Sequence, residues 1–307
     1  MIRETVTDYR KLDITERSGV IMLDGAYGSN IIGMGLAPGR PPDEWNITEP
    51  DKVRMLHSEY IDAGSSIITT NTFGSNAVKL GRSGLSDRVH ELNLRGARIA
   101  REVADKRALV AGDIGPTGEL LEPYGTLTAE SAKKSFIDQA KALFEGGADL
   151  IIIETMYDLR EALLALEAGL EATPLPVVVS LSFERKETGF VTIMGNRVES
   201  SFTELANAGA CVVGANCSIS SSDMVDLVRV MVDSTSLPVV AQPNAGLPSV
   251  EGGNVRYETD PVEFACDIMR MIDIGAKVVG GCCGTNPEFM RVLREKLDER
   301  ENGNSSE

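Results

Sequence analysis

Residues 129–158 read AESAKKSFIDQAKALFEGGADLIIIETMYD. The first part is amphipathic and helix-like, and it halts at Gly146-Gly147, as helix C-termini favour. A short apolar run follows, Leu150 to Ile153, with no alternation of polar and apolar residues. Such a run is a strand buried on both faces, which is the mark of a parallel sheet. It ends on Glu154 and Thr155, so chemistry-bearing residues stand where the strand stops.

The same unit recurs along the chain. Comparable runs are GVIMLDGAYGS (19–29), SSIITTNTFGS (65–75), ALVAGDIGPTG (108–118), PVVVSLSFE (176–184), ACVVGANCS (210–218), PVVAQPNAG (238–246) and KVVGGCCGT (277–285), which makes eight in all. Helix-like stretches such as PDKVRMLHSEYIDAG (50–64) and DPVEFACDIMRMIDIG (260–275) lie between them, and they too end at glycine. Eight β/α units in 307 residues predict an α/β fold, a single-domain (β/α)8 TIM barrel over residues 18–299. An open doubly wound sheet is the weaker alternative. Residues 1–17 form an N-terminal extension, and the polar end RENGNSSE predicts a disordered tail at 300–307.

Composition narrows the function. No stretch is apolar for long enough to span a membrane. The charged N-terminus has no apolar signal core, so the expected compartment is the reducing cytoplasm, where an odd cysteine count of five fits metal ligands, nucleophiles or core filler. A net charge of -16 excludes nucleic acid and anionic membrane as partners. The glycine-rich stretches fit no nucleotide motif. His57 and His90, the two histidines, both sit on helix-like segments and read as surface or packing residues.

In such a barrel the chemistry gathers at the C-terminal ends of the strands. There the sequence sets Asp24, Thr70, Asn71, Asp113, Glu154, Asn216, Cys217, Gln242, Asn244, Cys282 and Cys283. The opposite ends, AGSS, GGAD and IGAK, offer little. Cys217 ends the sixth run and Cys282-Cys283 the eighth, so three thiolates share one rim with one strand between them. Thiolate sulfur selects Zn2+, and three protein ligands leave a tetrahedral position open for catalysis. Other readings are buried core cysteines, which suit Cys211 and Cys266, and a redox pair, which the spacing favours less. A barrel aldolase would need a Lys or His at a strand end. The lysine on these runs, Lys277, stands at the wrong end.

DGAYGS, TNTFGS, GDIGPTGELLEPYG, ETMYD, GANCS, PNAG and GGCCGT together resemble the homocysteine S-methyltransferase family of zinc-dependent barrels, over residues 18–298. The motifs are most similar to the homocysteine-binding module of cobalamin-dependent methionine synthases, here standing alone. The resemblance implies a methyltransferase that turns homocysteine into methionine, with Cys217, Cys282 and Cys283 as zinc ligands. It implies that Asp24 and Glu154 hold the amino group and that Asn244 lies close to the metal. Gly25, Ala26 and Asn216 complete the expected substrate pocket, where backbone N–H groups take the carboxylate. Each carboxylate alone could equally be a helix cap or a rim ion partner. The strand-3 pattern implies a methyl-corrinoid (methylcobalamin) protein in trans as donor. Members using S-methylmethionine, S-adenosylmethionine or betaine differ there. A non-enzymatic, zinc-holding subunit that docks a corrinoid protein is the remaining alternative.

Overall fold

The computed structural model describes residues 19–251 and 254–304. Eight parallel strands form one nearly closed barrel: β1 (Ile21–Met22), β2 (Ile67–Thr69), β3 (Leu109–Ile114), β4 (Leu150–Met156), β5 (Val177–Leu181), β8 (Val212–Ser220), β9 (Val239–Asn244) and β12 (Val278–Val279). Two antiparallel hairpins, β6–β7 (Glu184–Lys186, Gly189–Val191) and β10–β11 (Ser249–Glu251, Asn254–Arg256), rise from the loops after β5 and β9. The hydrogen-bonded order runs β1-β12-β9-β8-β5-β4-β3-β2. The remaining seam, between β1 and β2, is bridged where Ser66 N–H donates to Met22 O at 2.8 Å. All eight apolar runs are barrel strands, and a helix follows each.

The segment 129–158 shows why the chain folds this way. Thr128 caps the helix Ala129–Glu145 by accepting from Ser131 N–H. Ala132, Phe136, Gln139, Ala140 and Leu143 then form the buried stripe at three- and four-residue spacing. Gly147 follows at φ 98°, a left-handed turn that glycine takes without steric cost, and β4 begins three residues later. Ile151 and Ile153 face the helices, whereas Leu150 and Ile152 face the barrel interior. That interior is a layer of Ile21, Leu23, Ile67, Ala111, Leu150, Ile152, Val178, Val212, Val240 and Val278.

Side chains two apart share a face of a strand. Further along these strands, the inward positions therefore pass from this apolar layer to Thr69, Asp113, Glu154, Ser180, Asn216 and Gln242. The polar layer is the mouth. Gly214 lets β8 and β9 approach closely beneath it, since a Cβ there would lie 1.9 Å from Val240 O.

Two expectations change. The final helix, Pro287–Asn304, runs through residues 300–304, which composition assigns to a disordered tail. Ion pairs sustain it: Arg300 with Asp273 at 2.9 Å and Arg294 with Glu301 at 3.2 Å. The extension 1–17 and residues 305–307 lie outside the described residues. Cys266 is exposed on the helix Pro261–Ile274 rather than buried in the core, because the stripe Phe264, Ala265, Ile268 and Met271 turns it outward. His57 is fully buried, while His90 is exposed and meets Glu145 at 2.8 Å. No described helix is long and apolar enough to cross a membrane.

Candidate active site

Cys217, Cys282 and Cys283 converge at the mouth, their sulfurs all within 4.8 Å of one another and those of Cys217 and Cys283 3.9 Å apart. Tetrahedral zinc with Zn–S bonds of ~2.3 Å sets its sulfurs about 3.8 Å apart, so the cluster fits that ion with little rearrangement. Cys217 stands within β8 at φ 61°, as does Ser218, inside a register shift between Asn216 and Ser220. This irregularity turns the thiol into the mouth. Cys282 and Cys283 follow β12, with Gly281 packed on Thr285 so tightly that a Cβ would meet its hydroxyl at 2.4 Å.

The sulfurs are not equivalent. Hydrogen bonds from Cys282 and Cys283, and one from Asn244, hold Cys217 as a thiolate, far below the usual thiol range. The same interaction with Cys217 pushes Cys282 well up, and Cys283 up to about 12. Tyr257 completes the enclosure. Its ring presses on Gly284, where a Cβ would lie 2.3 Å away, and its hydroxyl hydrogen-bonds to Cys283. Cys211 lies apart near the base of the barrel, its thiol donating to Val177 O at 3.2 Å. Burial pushes that thiol up to about 11, which suits a packing role.

Beside the cysteines lie the carboxylates. Asp24 is buried, its Oδ2 accepting from Thr69 N–H at 2.6 Å and from the Tyr27 hydroxyl at 2.9 Å. Burial nonetheless raises it to about 7. Because Tyr27 donates its proton to Asp24, it accepts from His57 Nδ1 at 2.7 Å, so His57 carries its proton there. His57 Nε2 has no partner among the described residues, and burial lowers the ring to about 3. Glu154, partly buried on β4, is raised to about 8 by desolvation and then by the charge of Cys217. Asp113 on β3 is buried and raised well above the carboxylate range by desolvation, then by Glu154, Asp43 and Asp24. Asp113 Oδ1, Gln242 Oε1 and Asn244 Oδ1 are buried acceptors without a donor among the described residues. A cluster of acceptors without donors is complementary to an ammonium group.

The other expected pocket residues are engaged within the protein. Ala26 N–H donates to Thr285 Oγ1 at 3.2 Å. Gly25 packs on Thr285 and Tyr60, a Cβ there lying 2.6 Å from the Thr285 hydroxyl. Asn216 is fully buried, and its amide is taken up by Thr155, Ser180 and Cys282.

Sequence reasoning names Asp113 without a role and misses Tyr27, Tyr257 and Lys79. Tyr27 lies inside DGAYGS, three residues from Asp24, and His57 falls on the buried stripe Val53, Leu56, Tyr60 and Ile61, a spacing that signals an inward ring. Lys79 comes from the helix Ala77–Gly81 rather than a strand end. Its ammonium lies 4.2 Å from the Phe73 ring centre and is lowered chiefly by burial, against the pull of Asp43 and Asp113.

A profile of the family described as Homocysteine S-methyltransferase matches residues 21–297. Methionine synthases of Mycobacterium leprae and Mycobacterium tuberculosis are each 31% identical over 260 residues, 81% of this chain. The chain spans only 21% and 22% of their lengths. The metallated form of the Escherichia coli homocysteine methyltransferase MmuM superposes with a TM-score of 0.78 at 20% identity, covering 93% of this chain and 99% of that one. A Bacillus anthracis dihydrodipicolinate synthase, TM-score 0.52 at 14% identity, covering 94% of this chain and 77% of that one, shares the fold alone. The barrel, the rim of thiols and carboxylates and the match over residues 21–297 agree: the chain belongs to the homocysteine S-methyltransferase family.

Proposed function

We propose that this barrel activates homocysteine as a thiolate on zinc held by Cys217, Cys282 and Cys283, and passes it a methyl group from a methyl-corrinoid protein in trans. The observation that carries the reading is three thiols within 4.8 Å of one another beside Asp24 and Glu154. Zinc, when bound, supplies the positive charge that deprotonates the acceptor thiol near neutral pH, where a free thiol of pKa ~8.5 stays largely protonated. Three cysteinate ligands outweigh the ion's charge and keep the acceptor sulfur electron-rich, as neutral histidines would not. Asp24 and Glu154 take the ammonium of the amino acid, with Asp113, Gln242 and Asn244 as further acceptors around it. An ammonium neighbour favours the ionised carboxylates and offsets the desolvation that raises them. Tyr27 and His57 fix the orientation of Asp24 from behind.

Similarity to methionine synthases across 81% of the chain and the strand-3 stretch GDIGPTGELLEPYG support the corrinoid donor. So does the rim, where Ile32, Tyr124, Ile193 and Leu247, all on loops or helices that follow barrel strands, are 60–72% exposed and offer apolar surface to a large partner. Five free thiols suit a reducing cytoplasm. The test is methionine formation by the zinc-loaded protein from equal concentrations of each donor. Homocysteine-dependent demethylation of methylcobalamin, faster when a corrinoid protein carries it, is the expected result. Turnover with S-methylmethionine, S-adenosylmethionine or betaine and none with methylcobalamin, free or carried, would remove the corrinoid while leaving the thiol chemistry in place.

A further inference from the structure

Asn216 is the point where the two halves of the site meet. On one side β4 breaks register with β5 between Ile153 and Met156, and Thr155, a β-branched residue, stands at φ 59°. On the other, β8 breaks register with β9 from Asn216 to Ser220, with Cys217 and Ser218 both at φ 61°. Side chains of this kind avoid that region unless the surroundings hold them there, and such residues cluster at functional sites. At Thr155 those surroundings are one amide. Asn216 Oδ1 accepts from Thr155 N–H and from Ser180 Oγ, each at 2.8 Å. Its Nδ2 donates to Thr155 Oγ1 at 2.7 Å and to Cys282 Sγ at 3.7 Å.

An amide has two acceptor lone pairs and two donor hydrogens, and all four are used. Asn216 therefore has no capacity left for a substrate, and its own backbone leads directly into Cys217. Thr155, which it grips at two atoms, is the residue after Glu154. The irregular conformation that aims Glu154 at the mouth, the start of the turn that presents Cys217, and the orientation of Cys282 thus depend on one side chain.

We infer that Asn216 is a positioning residue that couples the metal-holding thiols to the carboxylate for the amino group, rather than a group that touches substrate. The inference rests on the zinc and amino-thiol reading above. It predicts an effect at a distance: Thr155 hydrogen-bonds to none of the three cysteines among the described residues, yet its substitution reaches the metal. Orienting partners behind metal ligands typically carry a 10- to 100-fold effect on metal affinity.

The experiment measures zinc affinity by competition with a chromophoric chelator, and the affinity of the zinc-loaded protein for homocysteine against a simple mercaptan without the amino group. Asn216→Ala and Thr155→Val are each expected to weaken zinc by about tenfold or more, and to lose most of the preference for the amino thiol. The double variant is expected to be little worse than Asn216→Ala alone, since both remove the same contact. Thr155→Ser, which keeps the hydroxyl, is expected to behave as wild type. If Asn216→Ala does not accumulate folded, Thr155→Val against Thr155→Ser decides. Folded Thr155→Val with wild-type zinc affinity and wild-type thiol preference would overturn the inference. A wild-type protein that holds no zinc on its cysteines would instead overturn the reading beneath it.

Discussion

Asp24 lies at the floor of the mouth with its carboxyl between Tyr27 and Thr69 and almost no access to water. Burial there raises it from 3.8 to about 7. A group whose folded pKa is raised contributes stability that is fully present below its unfolded value and lost as pH rises through the folded one. In protein free of zinc and thiol, Asp24 therefore destabilises the fold progressively from about pH 4 to about pH 7, by a total on the order of 4 kcal/mol at the upper limit. His57 acts oppositely. Lowered from 6.5 to about 3, it contributes stability above its unfolded value that is lost as pH falls toward 3. Urea unfolding of Asp24→Asn should show a variant more stable than wild type at pH 8, with the gap narrowing toward pH 5. A gap independent of pH would mean that Asp24 is not the strained acid described here. The same substitution should weaken homocysteine binding, so stability and function pull apart at this residue.

At the scale of the element, the strands were legible because their signal is local. Uninterrupted apolar runs, glycine at helix ends and N-caps such as Thr128 and Asp158 all act within a few residues. Legibility ended where a distant side chain overrides local preference. No propensity places Thr155 at φ 59°, because the amide that holds it comes from β8. The hairpins β6–β7 and β10–β11 escaped as well, being three-residue strands with too few positions to show a period. Gly214 tests the coupling of element to site. A methyl group there collides with Val240 O and prises β8 from β9, two residues before Asn216. Gly214→Ala should cost about 1–3 kcal/mol in urea unfolding and weaken zinc retention as well. Unchanged stability would show that the two strands can separate without strain.

For the whole molecule, the polarity of the barrel was readable from which run ends carry chemistry, and the thiol rim follows from closure. Cys217 and Cys282-Cys283 are 65 positions apart in the chain and meet because β8 and β12 both flank β9. What the chain alone could not convey is depth. Nothing local says that His57 and Tyr27 stand behind Asp24, that Asn216 faces other protein groups, or that Tyr257 caps Cys283 from beyond the second hairpin. Those relations belong to the packed barrel. The claim on which the whole account depends is the metal site itself, and X-ray absorption with metal analysis addresses it directly. Protein loaded with zinc should hold about one ion per chain with three sulfur ligands, rising to four when homocysteine is added, and Cys283→Ser should lose both the ion and turnover while Cys211→Ser keeps them. Full zinc and full activity in Cys283→Ser would contradict the three-thiolate site.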